Sequence, residues 1–561
     1  MKKQGYVGLA AFAFAASVLT GCKLGDLDYT LDKDPVEMHG DSVRVSITVK
    51  VPEKGMPKKG SAIFTPTLGN KAFSPIEIKG EKAIGNGKTV NFKPGGTVNY
   101  TDVIAYSPEL ENADLTVSGV YIKGSKEKEI PSEKIADGTI VTPLLIQNDD
   151  KSLLGKDEFV RTTEEVYSET QINFSKAKAN IASKELKQDD VKALTAWLNS
   201  AMTNPKVAPK SINLVSFASP EGEVGKNSTL ADDRAISTKE AMVKILTKMN
   251  YEGADAMLKT MPKGEDWAGF KAAVNASDLE DKALIIRVLE MTVDPIKREE
   301  DIKKMSKTYK RLEKDILPSL RRTQINVVYD KIGWSDEELK GLSTSNPDTL
   351  TVEELLFTAT LSDDLNEKLR LYNLVVSQYG TDWRGHNNVG AIQYMQNDMS
   401  SAKGNFEKAN SLNENAISLN NLGLVARQEG DREKATELFN SALSAGSEVK
   451  YNLGLIDIQN GDYDQAIGNM GSENTFNKAL AQVLAGDNES ALATLDASKD
   501  NNTSFGYYLK AIIGARQNNL DLLTNNLTSA IAKDASLKSK AANDREFIKF
   551  LDNAVFQNLI K

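Results

Sequence analysis

Few side chains in this sequence are equipped for covalent chemistry. Cys22 is the single cysteine of 561 residues, and His39 and His386 are the only histidines. One cysteine forms no intramolecular disulfide. A His/Cys metal site takes three or four protein ligands, so neither a metal nor a cofactor is expected. Gly87-Lys88-Thr89 carries the end of a phosphate-loop pattern. That pattern needs a glycine five places before Gly87, where Lys82 stands, and a helix after it; a hairpin turn is the better reading. Ser219 has no histidine in its part of the chain to act as a base, which argues against a nucleophilic role. A glycan hydrolase needs two carboxylates facing one cleft, and no local pattern among the many Asp and Glu residues does this. The chain therefore reads as a binding protein and not as an enzyme.

The elements that would position binding groups fall into three stretches. The length suggests roughly three or four domains of ~150 residues, and 40% hydrophobic with 26% charged residues is ordinary for globular material. In Ser42–Val51, Val43, Val45, Ile47 and Val49 alternate with Arg44, Ser46, Thr48 and Lys50, the period of a half-buried strand. Similar runs at Ser61–Thr67, Thr97–Ser107, Asp114–Lys123 and Thr139–Ile146, with turns at Gly85-Asn86-Gly87 and Pro94-Gly95-Gly96, predict a β-sandwich over 38–150. From 165 to 330 strands and helices alternate: Thr170–Phe174, a helix carrying Val191, Leu194, Trp197 and Leu198, then Ser211–Phe217. A second helix is expected to open near Ser228 or Thr229, and Thr229 with Asp232 resembles a capping box. Arg321–Tyr329 is the last strand. After a linker at 331–350, helical patterning continues from 351 to 540, with a final helix over 541–561.

The first residues read as a secretory signal over 1–21. Lys2 and Lys3 precede an apolar stretch, Tyr6–Thr20, too short to span a bilayer, which takes ~20 apolar residues. Leu19-Thr20-Gly21-Cys22 resembles the lipobox of bacterial lipoproteins. The resemblance implies that Cys22 is acylated and becomes the first mature residue, with 22–37 as a tether. Several acyl chains, at ~0.8 kcal/mol per buried methylene, hold a protein firmly. Lys23 in place of an inner-membrane retention aspartate implies the outer membrane. A periplasm-facing orientation is expected, with surface exposure as the alternative. The net charge of −9, more negative once Lys2 and Lys3 are removed, argues against nucleic acid as a partner.

The run Val215-Ser216-Phe217-Ala218-Ser219-Pro220-Glu221-Gly222, followed by Asn227, Leu230, Ala231, Arg234 and Ala235, is similar to the OmpA-like domain. The likeness covers about 168–330 and implies a βαβαβ fold, here with a helical insertion about 251–318. It also implies non-covalent peptidoglycan binding through the diaminopimelate of the stem peptide. That ligand is zwitterionic, so it calls for a cation and an anion, and an arginine fork suits its carboxylate. The family's arginine and asparagine positions are Arg234 and Asn227. Its aspartate position holds Ser219, which has no charge, and Glu221 two residues on is the substitute expected for the ammonium.

Further along, Val389-Gly390, Ala402, Phe406 and Ala409 repeat as Leu422-Gly423, Ala435, Phe439 and Ala442, and in part as Leu453-Gly454 and Ala466. This period of 31–34 residues resembles the tetratricopeptide repeat (TPR). It implies a solenoid whose groove binds a protein segment, with the aromatic filling the gap between neighbouring repeats and a half-unit near Leu355–Tyr379. His386 and the many asparagines are candidates for groove lining. The expected fold class is therefore multidomain α+β: β-sandwich, OmpA-like domain and all-α TPR solenoid. The expected function is an envelope scaffold that binds peptidoglycan and an unidentified protein. The alternative is an assembly or secretion accessory factor whose OmpA-like domain no longer binds the wall.

Overall fold

The computed structural model describes residues 24, 26–251 and 253–561. The expected signal segment and Cys22 lie outside the described residues. The chain divides into two compact units: residues up to Lys156 together with Asp364–Lys561, and the intervening Asp157–Asp363.

In the first unit the alternation of Ser42–Val51 is realised as a central strand. It pairs antiparallel with Gly96–Ala105 along its whole length, and with Asp28–Leu31 and Val36–His39 on its other side. Residues 28–31 and 36–37, expected as part of a tether over 22–37, are thus strand residues of this sheet. A second sheet runs in the order Lys126–Asp137, Asp114–Lys123, Gly60–Leu68, Ile76–Gly80, Lys88–Val90. Val43, Val45, Ile47 and Val49 from the first sheet meet Phe64, Ile78 and Val117 from the second in one core. The outer strand Lys126–Asp137 carries seven charged residues in twelve and a proline, Pro131, which keeps an open edge from pairing with other chains. The run expected as a strand over Thr139–Ile146 is one only at Thr139–Ile140, because Pro143 removes a ladder donor; Thr142–Leu145 turns into a short 3-10 helix.

The same unit holds a series of helical hairpins, beginning with Leu365–Gln378 and continuing through Trp383–Met395 with Met399–Leu412, Ala416–Gln428 with Arg432–Ser441, and Ser447–Asn460 with Tyr463–Met470. Within each hairpin the glycine of the first helix receives the large side chain of the second. A Cβ at Gly390 would lie 2.8 Å from the Phe406 ring, one at Gly423 2.6 Å from Phe439, and one at Gly454 2.9 Å from Met470. The aromatic thus packs on the glycine of its own repeat and shares one core with apolar side chains of the next repeat. The final stretch is broken into Ser536–Asn543, Arg545–Phe550 and Ala554–Ile560, because Asp544 and Asn553 start new caps. The sandwich and the helices are joined by Asp41–Arg432 at 2.6 Å and by Thr142 on the Glu546 carboxylate.

The second unit is a four-stranded sheet in the order Thr162–Asn173, Arg322–Ile332, Val207–Ala218, Leu258–Glu265, with helices Asp189–Thr203 and Val224–Lys248 between its strands. Val191, Leu194 and Leu198 pack on Ile172, Ile212, Leu214 and Ile325. The segment expected as a helical insertion over about 251–318 opens with a single helical turn, Ala254–Met257, and then departs from the expectation in the strand Leu258–Glu265, parallel to Val207–Ala218. Four short α-helices, a π-helical turn at Leu312–Ile316 and a 3-10 turn at Leu317–Leu320 then follow before the last strand, with a core of their own around Phe270, Ile285 and Leu312. The helix expected to start near Thr229 starts at Val224; Thr229 is interior and its hydroxyl donates to the Gly225 carbonyl. The expected linker 331–350 holds the helix Asp336–Ser345, nucleated by a capping box between Ser335 and Glu338.

Candidate functional site

Two places gather the side chains that could bind a ligand. The first is the turn after Val207–Ala218. Ser219 donates to Glu221 Oε1 at 2.7 Å, and Asn227 Nδ2 reaches the Glu221 carbonyl at 3.0 Å and Glu265 Oε1 at 2.8 Å. Arg321 pairs with Glu221 at 2.7 Å, and Lys176 approaches it at 3.1 Å. Burial raises the Glu221 carboxyl, but the Ser219 hydroxyl, Arg321 and Lys176 outweigh it and hold the acid below its usual range. Arg234 is 1% exposed. Its Nε donates to the Lys178 carbonyl at 3.1 Å, Nη1 to Phe217 at 2.8 Å and Nη2 to Ser175 at 3.4 Å, and the guanidinium lies over the Phe174 ring. Burial, with Arg321 nearby, lowers its pKa to about 10, so it stays cationic at neutral pH. The structure thus brings Ser219, Glu221 and Asn227 into one hydrogen-bonded cluster. Arg234 sits beside it with all three of its nitrogens on backbone carbonyls. An open hollow of about 430 Å³ lined by Leu186, Val191, Ile245 and Met249 shares no residue with this cluster.

The second place is the face formed by the first helices of the hairpins. Asn387, Asn388, Asn420, Asn421, Asn452 and Asn477 lie along it, all buried. Asn388, Asn421 and Asn452 each stand two residues before the repeat glycine, so they recur in phase. Their partner is the chain's own segment 147–155, which is neither helix nor strand. Buried backbone groups need partners, and here asparagine side chains supply them in pairs. Gly155 N–H donates to Asn388 Oδ1 at 2.7 Å and its carbonyl accepts from Asn388 Nδ2 at 2.9 Å. Leu153 is held in the same way by Asn421 at 2.8 and 2.7 Å, Lys151 by Asn452 at 2.8 and 3.0 Å, and Gln147 by Asn477 at 2.8 and 2.9 Å. The asparagines also bond to one another: Asn421 to Asn387 and Asn452 to Asn420, both at 2.9 Å. The segment runs opposite to the order of the repeats, with two residues matched to each repeat over Lys151–Gly155.

Side chains fix the register. Asp150 is ion-paired with Arg427 at 2.7 Å, each side chain 2% exposed, and accepts from the Tyr394 hydroxyl at 3.0 Å. Asp149 accepts from the Tyr451 hydroxyl and from Asn477, both at 2.8 Å. Burial, and then the Asp149 and Asp150 charges, push the Tyr451 and Tyr394 hydroxyls above their ordinary pKa. Leu153 and Leu154 pack on the core around Leu424 and Leu453. A Cβ at Gly155 would fall 2.7 Å from Arg384 Cγ and 2.9 Å from its Cβ, so this position needs glycine.

Of the candidates for groove lining, the asparagines line this face and His386 does not join them; it bonds to Asn405 at 3.1 Å. Sequence reasoning missed the occupant, segment 147–155. The recurrence of Asn two places before each glycine was the available signal for the row, and nothing in 147–155 taken alone marks it as a ligand. Arg427, Tyr394 and Tyr451 were also missed, since each is unique within its repeat.

No known protein family matches the sequence, and no curated protein does. Among solved structures, a tetratricopeptide repeat protein from Parabacteroides merdae ATCC 43184 is similar at 17% identity, covering 47% of this chain and 98% of that one, with a TM-score of 0.29. The APC/C hetero-tetramer Cut9-Hcn1 is similar at 12% identity (66% and 81% covered, TM-score 0.32), and yeast Tom70 at 12% (67% and 93%, TM-score 0.27). These likenesses are too loose to bear on the arrangement of the chain. The repeat stands on its own helix phases and on the glycine contacts described above.

Proposed function

We propose that this chain is a non-enzymatic scaffold of a Gram-negative cell envelope, fixed to the outer membrane through acylated Cys22 and holding a protein partner through its helical array. The observation that carries the partner-binding part is the row of in-phase asparagines gripping a main chain at both N–H and C=O. That device suits extended polypeptide. The anchor is supported by Leu19-Thr20-Gly21-Cys22 and the apolar stretch before it. Gentle solubilisation of native membranes is expected to recover the chain from the outer-membrane fraction with a stoichiometric protein partner. Cys22→Ser is expected to move it to the soluble fraction. A wild-type chain that is soluble and alone would sink this reading. An accessory role in assembling secretion or surface structures is the same scaffold with a different client.

The meeting of Ser219, Glu221 and Asn227 beside Arg234 favours a second reading, in which the middle unit binds the diaminopimelate of the peptidoglycan stem peptide. Glu221 already occupies the anion place beside Arg321, so a ligand carboxylate must displace it. Sedimentation with purified peptidoglycan decides. This reading expects wild type to pellet and Glu221→Ala to change the amount pelleted. If both stay in the supernatant, wall binding is not a property of this chain.

A further inference from the structure

The segment 147–155 is a ligand carried by the chain that binds it, and it fits imperfectly. Asp150 Oδ2 accepts from Arg427, Tyr394 and Gln428, whereas Asp150 Oδ1 and Arg427 Nε are buried without a hydrogen-bond partner. The main-chain contacts are indifferent to side chains, because Asn388, Asn421 and Asn452 meet the segment only at N–H and C=O groups common to any extended residue, and Asn477 alone adds a side-chain contact, to Asp149. Discrimination falls to Asp149 and Asp150, to the Leu153-Leu154 pair, and to Gly155 against Arg384. A device that holds any extended backbone, but is occupied by a segment leaving buried polar atoms unpaired, is one from which the occupant can be displaced.

We propose that the asparagine row is a client-binding site held shut by residues 147–155, and that its client is an extended protein segment with an acidic pair, two leucines three and four residues after its second acid, and a glycine next. This rests on the reading of the array as a partner-binding scaffold and adds what the partner looks like and how access is controlled. A tethered occupant competes at an effective concentration on the order of millimolar. A free client with the same contacts therefore enters only when it is comparably concentrated or is itself held nearby. Displacement also frees about ten residues, a reach of roughly 30 Å at ~3.3 Å per residue, at the point where the chain leaves for the middle unit. The same event opens the site and lengthens the connection.

The test uses the full-length protein and a labelled synthetic peptide of residues 145–156, Leu-Ile-Gln-Asn-Asp-Asp-Lys-Ser-Leu-Leu-Gly-Lys. Two variants weaken the built-in occupant: Asp150→Lys sets like charges against Arg427, and Gly155→Ala forces a Cβ onto Arg384. Fluorescence anisotropy is expected to show at least tenfold tighter peptide binding to either variant than to wild type. A peptide with lysine in place of Asp150 is expected to bind neither. Equal affinity for wild type and variants would overturn the proposal, as would no binding to folded variants. Amide exchange on wild type covers the case of variants that do not fold. The Lys151, Leu153 and Gly155 N–H groups are expected to exchange slowly, and to lose protection when peptide reaches millimolar concentration. Protection that persists there means the segment is a fixed strut. Dimers formed by the variants would mean that the site takes a second copy's segment, which also overturns it. Recovery of a stoichiometric partner from membranes despite any of these failures would place the partner on another face and leave the scaffold reading standing.

Discussion

Single residues carry the sharpest consequences. Asn421 holds both polar groups of Leu153 and donates to Asn387. Net, a hydrogen bond contributes about 1 kcal/mol, and a buried group left unpaired costs about 1–3 kcal/mol. Asn421→Ala is therefore expected to destabilise the first unit by about 2–4 kcal/mol, read by chemical denaturation. Asp544 offers a pH test. Its carboxyl accepts from the Tyr508 hydroxyl and the Glu546 N–H. Burial, and then the Glu546 charge, raise its pKa to about 6 from 3.8, with Lys540 opposing. Between those values the folded state holds a proton the unfolded chain has released, so stability falls as pH rises through this window. Asp544→Asn is expected to melt higher than wild type at pH 7.5 and to lose that advantage by pH 4. An advantage independent of pH would mean that this carboxyl titrates normally. Arg234→Ala removes the buried donors that reach the carbonyls of Phe217 and Lys178, and one of the two that reach Ser175. It is thus a poor probe of ligand binding, and Glu221 is the better one.

At the scale of elements, the hairpins depend on the absence of a side chain. Gly423→Ala sets a Cβ 2.6 Å from the Phe439 ring, which has no room to retreat in a buried seam. Overpacking of this kind costs about 1–3 kcal/mol, and melting of the full chain should register it. If Gly423→Ala were neutral, the helices would pack more loosely than drawn here. These helices were legible in the sequence because Gly, Ala and Phe recur at fixed spacing, and the sandwich strands because valines alternate with charges. Leu258–Glu265 was not legible. It is a mostly exposed edge strand carrying Lys259, Pro262 and Lys263, and edges are guarded by the residues that erase a strand's periodicity. The start of Val224–Lys248 was misread for a related reason: Glu223 makes no side-chain cap there, so the sequence holds no cap signal at the true start. The cluster of Ser219, Glu221 and Asn227 was legible only through the resemblance of Val215–Ala235 to a known motif. Arg321 and Lys176 as the counter-charges of Glu221 were not, since each is more than forty residues away.

At the scale of the whole molecule, each unit has its own cores. Units with separate cores tend to unfold separately, so two thermal transitions are expected. Arg234→Ala should lower one and Asn421→Ala the other. A single transition shifted by both would show that the units unfold together. The grip on 147–155 bears on how the protein is made. Gly155 meets Asn388 across 233 residues of sequence and Gln147 meets Asn477 across 330. During synthesis from the N-terminus this strip emerges long before the helices that will hold it, and the whole middle unit is built in the interval. Contacts so distant along the chain close slowly. Nascent chains of this protein therefore spend a long interval with an unclaimed Asp-Asp-x-x-Leu-Leu stretch, a window in which a chaperone or a neighbouring ribosome's product has first access to it.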